Sequence, residues 1–286
     1  MQAGTPSRTA YRVALRRAAH QVVDAPRVFA DPLALRILGM DAGSMGAAAG
    51  DLRAPTRPHS VALRAFLVAR SRFAEDALAA AVHTHARLQY VLLGAGLDTF
   101  AYRNPYTGVH VFEVDHPDTQ AWKLSLLGAA GLAIPASATH VPVDFQQQSL
   151  REQLALAGFD PSHPAVFAWL GVVPYLSAAA FTSTLQYLAR CAAGSVLVMD
   201  YSLPRAALPA NEQLAFDSLS ARVAAAGEPF QSFFLPDELH THLASERWGV
   251  MEDLDRDAIN RRYFAGRSDH LRCLGSGGHL LTAMLR

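Results

Sequence analysis

Apolar runs of strand length alternate with segments of helical apolar spacing through the middle of the chain. Five such runs predict buried strands at 88–93, 109–114, 139–143, 165–170 and 195–201. The segments at 117–127, 149–157 and 178–191 have the apolar spacing of helices. This alternation predicts an α/β fold with a parallel sheet and right-handed crossovers. Two later runs, at 248–252 and 280–285, complete a predicted sheet of seven mostly parallel strands.

The two ends of the chain show different patterns. Helices are predicted at 9–23, 33–38 and 60–82, and we interpret residues 1–85 as an N-terminal helical lid. Residues 202–245 are mostly helical with polar interruptions, which predicts an insertion that covers the strand ends as a substrate lid. Residues 86–201 then form the core and residues 246–286 the final strands. We expect these 286 residues to form one domain.

Composition narrows the choice of ligand. Hydrophobic residues make up 51% of the chain, which is enough for a large core. Basic and acidic residues are equal in number, 25 each, so we expect a small-molecule ligand and neither a nucleic acid nor a membrane. Cys191 and Cys273 lack metal-site spacing, which predicts reduced thiols, no metal and a cytoplasmic protein. The polar residues 1–11 do not resemble a signal peptide.

A glycine turn follows the first predicted strand. Gly94, Ala95 and Gly96 come directly after the apolar run, and glycines at this spacing allow a tight turn that a ligand can approach closely. Residues 98–102 are predicted to open a helix whose amides point at that ligand. A strand, a glycine turn and a helix form the first unit of a nucleotide-binding sheet.

Acidic residues end the next two predicted strands. Asp115 lies 19 residues after Gly96, which suits an acceptor for the two ribose hydroxyls of a nucleoside. Glu113 is the alternative ribose acceptor. Asp144 is placed to accept from an adenine amino group while Phe145 packs on the ring. Thr99 stands where a dinucleotide-binding motif has its third glycine, which disfavours a pyrophosphate-containing cofactor.

Several motifs together resemble one known family. They occur in order and at family-like spacing at Ala10, 20–21, 29–34, 70–76, 91–99, 112–117, Lys123, 143–145 and 169–176. This set is similar to the leucine carboxyl methyltransferase family, in particular to its bacterial S-adenosylmethionine-dependent branch, some members of which methylate polyketides. The resemblance covers most of residues 8–201 and becomes weak after Tyr201.

The resemblance implies a Rossmann-like class I methyltransferase fold and S-adenosyl-L-methionine as cofactor. It implies that Asp115 holds the ribose, that Asp144 and Phe145 hold the adenine, and that the methionine end lies near Gly94 and Arg70. A guanidinium such as that of Arg70 suits a carboxylate because it can bind both oxygens. Leu170 replaces the glutamate that is common in the family, so backbone carbonyls would have to serve there.

The expected reaction is in-line methyl transfer to an oxygen of a small molecule, such as a polyketide or an aromatic acid. A carboxylate acceptor is favoured because it is already ionised, whereas a hydroxyl would need a base, for which Tyr175 or a histidine of the lid is the candidate. Tyr175 could instead pack over the cofactor cleft. Phe230, Phe233 and Phe234 either line an apolar substrate pocket or pack the insertion onto the sheet.

Two other functions remain open on the sequence alone. One is a nicotinamide-dependent oxidoreductase, which Thr99 disfavours. The other is a non-catalytic paralogue that binds the cofactor, a hypothesis that Leu170 motivates. The oligomeric state is not indicated by any sequence pattern.

Overall fold

The fold is built on a seven-stranded sheet, seen in a computed structural model that describes residues 7–45, 58–144, 148–225 and 227–286. The sheet has the order β3-β2-β1-β4-β5-β7-β6. Its strands are β1 (Leu88–Leu93), β2 (Val109–Asp115), β3 (Ala138–Pro142), β4 (Ala165–Trp169), β5 (Val196–Ser202), β6 (Trp248–Leu254) and β7 (Gly278–Leu285). All seven strands were predicted, with ends that differ by one or two residues.

Strand direction confirms a mostly parallel sheet. Strands β1 to β5 pair in parallel, while β7 runs antiparallel between β5 and β6. The chain moves outward from β1 to β2 and β3, and then returns to the other side of β1 to form β4. The order of the strands therefore reverses between β1 and β4, and a reversal of this kind opens a crevice at the carboxyl ends of the strands.

Helices cover both faces of the sheet. They are α1 (Arg8–Val23), α2 (Pro58–Val82), α3 (Pro117–Ala129), α4 (Leu150–Leu156), α5 (Ala178–Leu188), α6 (Ala210–Ala225), α7 (Pro236–Ser245) and α8 (Arg256–Tyr263). Helix α8 was not predicted. In the ranges that the structure describes, no helix has the length and hydropathy needed to cross a membrane.

The core is divided between the two faces of the sheet. Val91 and Leu93 pack in one cluster with residues of α5, whereas Tyr90 and Leu92 pack in another with residues of α2. This division follows from the period of a strand, because successive side chains point to opposite faces. A strand buried on both faces has no polar alternation, which explains why β4 is a continuous apolar run.

Two predicted helices are wrong. The glycine turn is followed only by a short 3-10 turn, Phe100–Tyr102, and the segment 33–38 contains only the 3-10 turn Arg36–Leu38. Asp98 accepts a hydrogen bond from the backbone N–H of Phe100 through Oδ1, at 2.7 Å, and Pro105 prevents a longer helix. The face of the sheet that a helix after the glycine turn would have covered is occupied by α2, which packs against β1, β4, β5 and β7.

Candidate functional site

A cavity of about 340 Å³ lies at the carboxyl ends of β1, β2 and β4. Its floor includes the glycine turn after β1, Asp115 at the end of β2 and Leu170 after β4. Helix α1 and residues 227–231 close it from the other side, and α2 contributes Arg70. The cavity therefore occupies the crevice where the order of the strands reverses.

The glycine turn is held closely by its surroundings. Gly94 has φ +78°, and a Cβ at this position would lie 2.2 Å from Cγ2 of Val172. The N–H groups of Gly94 and Ala95 both donate to the carbonyl of Val114, and the N–H of Gly96 donates to the carboxylate of Asp115. The amides of the turn are therefore already bonded to β2, so they do not form a free nest of donors for a phosphate.

Asp115 projects into the cavity beside this turn. Its Oδ2 accepts from the N–H of Gly96, and its Oδ1 accepts from the N–H of His116 at 2.7 Å. Burial raises the pKa of Asp115 above its ordinary value, although both backbone N–H groups oppose that rise. Because a carboxylate has about four lone-pair positions, Asp115 can still accept from a ligand.

Glu113 occupies a different environment, although it lies only two residues earlier. It pairs with Nζ of Lys123 at 2.8 Å and accepts from the hydroxyl of Tyr102 at 2.9 Å. Burial alone would raise its pKa, but Lys123 and the neighbouring His140 lower it. Glu113 does not line the cavity. The structure thus separates the two predicted ribose acceptors and leaves Asp115 facing the crevice.

Arg70 is buried and links three elements around the cavity. Its side chain is 11% exposed, and its Nη1 donates to Asp200 of β5 at 2.9 Å. Its Nε is buried and has no hydrogen-bond partner among the residues that the structure describes. Gly171 has φ +69° and also donates to Asp200, and a Cβ on Gly171 would lie 2.7 Å from the guanidinium. Asp200 was not predicted as a site residue. Its carboxylate lies within the apolar run of β5, and this position could have indicated that Asp200 has a buried cation as its partner.

Arg17 is a second buried cation in the cavity wall, and sequence reasoning missed it. It donates to Asp31 at 2.6 Å and to Asp98 at 3.0 Å. Burial alone would raise the pKa of Asp98, but Arg17 and then Arg103 lower it. Thr99 donates to Asp31 at 2.7 Å and is fully buried, so the residue in place of a third glycine helps to anchor α1. Helical spacing could have found Arg17, because it lies seven residues after the motif residue Ala10.

Asp144, one of the two predicted adenine-binding residues, lies outside the cavity wall. Asp144 is half-buried after β3, and its N–H donates to Gln148 at 2.9 Å. It does not line the cavity, and Phe145 lies outside the described residues. Leu170, by contrast, does line the cavity. The roles of Asp144 and Phe145 stay predictions.

Tyr175 lines the cavity, whereas the three predicted phenylalanines do not. Phe230 packs on Tyr175 with ring centroids 5.2 Å apart, and Phe233 packs on Phe230 at 6.2 Å. Phe234 packs on Phe181 at 4.8 Å, against the core. Burial, and then the charge of Glu228, raise the pKa of Tyr175 to about 12. Contact of the phenylalanines with a substrate stays a prediction.

Glu228 is a cavity carboxylate that sequence reasoning missed. Its Oε1 accepts from the hydroxyl of Ser7 at 2.9 Å, and its Oε2 accepts from the hydroxyl of Thr9. These bonds join the beginning of α1 to the segment after α6 across the top of the cavity. No local sequence signal could have shown this, because the partners are more than 200 residues apart.

Comparisons with known proteins agree with this architecture. The pattern of the leucine carboxyl methyltransferase family matches residues 10–189. A Bacillus subtilis protein, YktD, named provisionally as an S-adenosyl-L-methionine-dependent methyltransferase, is 36% identical over 186 residues, covering 64% of this chain and 61% of the relative. A Frankia alni protein with the same provisional name is 38% identical over 192 residues, covering 65% of each chain. The chain thus spans less than two thirds of the length of either relative.

Solved structures share the fold across the whole chain. A Thermobifida fusca protein, described provisionally as a methyltransferase, superposes with a TM-score of 0.60 at 16% identity and covers 100% of this chain and 97% of its own. A DUF574 family protein from Streptomyces avermitilis gives 0.56 at 15% identity, covering 96% and 97%. These likenesses concern the fold alone. Because the family pattern matches more than half of the residues, the chain belongs to the leucine carboxyl methyltransferase family.

Proposed function

We propose that this chain is a methyltransferase that uses S-adenosyl-L-methionine and methylates an oxygen of a small molecule. The observation that carries the proposal is the pairing of Asp115 with a glycine turn whose first amides are bonded to β2. This arrangement offers a carboxylate for ribose hydroxyls and no free nest of amides for phosphates. The names of the relatives and the cavity volume of about 340 Å³ support it, since small-molecule sites measure roughly 300–1,000 Å³.

The residues present fit such a cofactor. Asp115 would accept from both ribose hydroxyls, and Arg70, whose buried Nε has no partner, would bind the methionine carboxylate. Gly94 has to be a glycine, because Val172 occupies the space that a Cβ would need. We retain Asp144 and Phe145 for the adenine, and the backbone carbonyl at Leu170 as a polar contact. When bound, the cofactor supplies an electrophilic methyl group on a sulfonium.

The protein's own part is positioning and exclusion of water. Helix α1 and residues 227–231 cover the cavity and would hold an acceptor in line with the methyl group. Proximity of this kind can contribute roughly 7–11 kcal/mol. A carboxylate acceptor would need no base, which is why the sequence favours it over a hydroxyl. Tyr175, with a pKa of about 12, is a hydrogen-bond donor at neutral pH and a poor base.

Calorimetry with S-adenosylhomocysteine tests the proposal. We expect the wild type to bind and Asp115→Ala to bind about 100-fold more weakly, because two hydrogen bonds to a charged acceptor are lost. Asp257→Ala, an exposed carboxylate of α8, is the matched control and should bind like the wild type. Absence of binding by the wild type, or unchanged binding by Asp115→Ala, contradicts the proposal.

Two further measurements separate the alternative functions. Binding of NADPH in place of S-adenosylhomocysteine would indicate an oxidoreductase. Transfer of a labelled methyl group to a panel of phenols and carboxylic acids should occur for an enzyme and should be absent for a cofactor-binding paralogue.

A further inference from the structure

The charges of the cavity wall are unevenly paired. Its two cations are already matched by carboxylates, since Arg17 contacts Asp31 and Asp98 and Arg70 contacts Asp200. Glu228 differs, because the groups that hydrogen bond to its carboxylate in the described ranges are two neutral hydroxyls. Within the described ranges, the carboxylate of Glu228 therefore lies in the cavity wall without an ion pair to a cation.

Glu228 also lies close to other polar groups of the covering side. Its charge acts on Tyr175, and the hydroxyl of Tyr175 interacts with Thr9, which itself donates to Glu228. Arg70 acts on Tyr175 as well. Glu228, Tyr175 and Arg70 line the same cavity, so an acceptor held by Glu228 would share that cavity with a cofactor whose methionine end is bound by Arg70.

We propose that Glu228 binds the acceptor, that the acceptor is a neutral phenolic hydroxyl, and that Glu228 accepts its proton. This inference rests on the proposed function and deepens it. A carboxylate acceptor would meet Glu228 as a like charge, which is unfavourable. The inference therefore replaces the carboxylate that sequence reasoning favoured by a hydroxyl.

The step balances without any further reagent. An oxygen lone pair of the acceptor forms the new C–O bond, and the S–CH₃ bond breaks with its electron pair passing to sulfur. The hydroxyl proton moves to the carboxylate of Glu228 and is later released to solvent. The products are an aryl methyl ether, a neutral thioether and a protonated Glu228.

A phenol fits better than an aliphatic alcohol for two reasons. A phenolic hydroxyl has a pKa of about 10 and is a stronger acid than an aliphatic alcohol, so transfer of its proton to a carboxylate costs less free energy. An aromatic cluster also stands beside the site, because Tyr175 packs on Phe230, which packs in turn on Phe216 and Phe233. Aromatic rings pack favourably against such side chains.

Two isomeric acceptors separate the alternatives cleanly. Methyl 4-hydroxybenzoate offers only a hydroxyl, 4-methoxybenzoate offers only a carboxylate, and methylation of either one gives the same product. We expect the wild type to methylate the hydroxyl isomer at least about tenfold faster. The protein saturated with S-adenosylhomocysteine should also bind that isomer more tightly in calorimetry, a readout that does not depend on turnover.

The variant Glu228→Gln tests the base directly. It keeps the shape of the side chain and can still bond to Ser7 and Thr9, but it cannot accept the proton as a carboxylate does. We expect methylation of methyl 4-hydroxybenzoate to fall about 100-fold. Methylation of 4-nitrophenol, which is largely ionised at mildly alkaline pH, should fall much less, and binding of 4-methoxybenzoate should tighten. Glu152→Gln, on the exposed surface of α4, is the matched control.

A purely structural clasp predicts different results. If Glu228 only holds the covering segments together, Glu228→Gln should slow all acceptors equally, and the double variant Ser7→Ala/Thr9→Val should do the same. Equal slowing of all acceptors by Glu228→Gln would overturn the inference. A tenfold loss of S-adenosylhomocysteine affinity in Glu228→Gln would also overturn it, because Glu228 would then bind the cofactor.

The failure of this inference is distinguishable from failure of the proposed function. A wild type that binds S-adenosylhomocysteine but prefers 4-methoxybenzoate, or methylates none of the phenols, overturns the role of Glu228 and leaves the proposed function standing. A wild type that does not bind S-adenosylhomocysteine refutes the proposed function itself.

Discussion

Two carboxylates near the end of β2, Glu113 and Asp115, show how differently one strand can use the same chemical group. Glu113 is buried with Lys123, Tyr102 and His140; burial alone would raise its pKa, but Lys123 and His140 lower it. Asp115 lies at the cavity, is bonded only to backbone N–H groups, and has a raised pKa because of burial. The two carboxylates are therefore neighbours whose pKa values are shifted in opposite directions.

The comparison of Glu113 with Asp115 shows that a shifted pKa does not by itself identify a functional site. Glu113 is the more deeply buried of the two, yet its charge is balanced inside the protein, which is the signature of a structural ion pair. Asp115 has no cation paired with it in the described residues and keeps acceptor capacity toward an open cavity. The partner and the exposure, more than the size of a shift, distinguish structure from binding.

The largest loss of stability should come from breaking the ion pair between Lys123 and Glu113. Lys123→Met leaves the charge of Glu113 buried without its cation, which should cost about 3–5 kcal/mol of unfolding free energy in urea denaturation. The double variant Lys123→Met/Glu113→Gln should recover much of that loss. Affinity for S-adenosylhomocysteine should not change in the folded protein. A loss of affinity without a loss of stability would reverse the roles of Glu113 and Asp115.

As the pH is lowered, cofactor affinity should fall first, through Asp115, and stability should fall at lower pH, through Glu113. Because the folded pKa of Asp115 is raised, its carboxylate is protonated above the ordinary range of an aspartate, and cofactor affinity should fall there, about tenfold per pH unit below that pKa. Because the folded pKa of Glu113 is lowered, its stabilising effect is present above its unfolded pKa and is lost only as pH falls below that value. Calorimetry and denaturation across acidic pH measure the two losses.

The Asp115→Asn variant is the control for that experiment. It should bind S-adenosylhomocysteine weakly at every pH, with no fall through the mildly acidic range. A wild type whose affinity is constant over this range would remove Asp115 from the ribose site.

The smallest effect should come from the neutral partner of Glu113. Tyr102→Phe removes the hydrogen bond to the buried carboxylate of Glu113 and the hydrogen bond between the same hydroxyl and Nε2 of His140 at 2.8 Å, for which we expect a loss of about 1.5 kcal/mol in stability and no change in cofactor affinity. Tyr263→Phe removes a similar bond, at 3.1 Å, to the more exposed Asp76 and should cost about 0.5 kcal/mol. Equal losses for the two variants would show that burial does not set the difference.

Much of the fold was predictable because its signals are local. Strands buried on both faces are continuous apolar runs, and the helices between them have their own apolar period. The helix expected after Gly96 was wrong, since the bond from Phe100 to Asp98 and the position of Pro105 favour a short turn. Helix α2, from earlier in the chain, covers one face of the sheet. This position depends on contacts between distant residues, which no local pattern shows.

The candidate site was predictable only where strand topology determines it. The carboxyl ends of parallel strands meet at one edge, so Gly94 and Asp115 were expected to lie together, and they do. Arg17 and Glu228 reach the cavity from distant segments. Their positions depend on how α1 and the segment after α6 lie over that edge.

The strands, the mostly parallel sheet and the edge at which we expect a ligand to bind were predictable from the sequence, because the hydrophobic period and the alternation of strands with helices are properties of the chain alone. Only the tertiary structure decided which carboxylate faces the cavity. Glu113 and Asp115 are both acids near the end of one strand, and their environments differ through partners supplied by α3, by the 3-10 turn Phe100–Tyr102 and by the glycine turn. The charge of a buried group depends on its neighbours, and neighbours are created by folding.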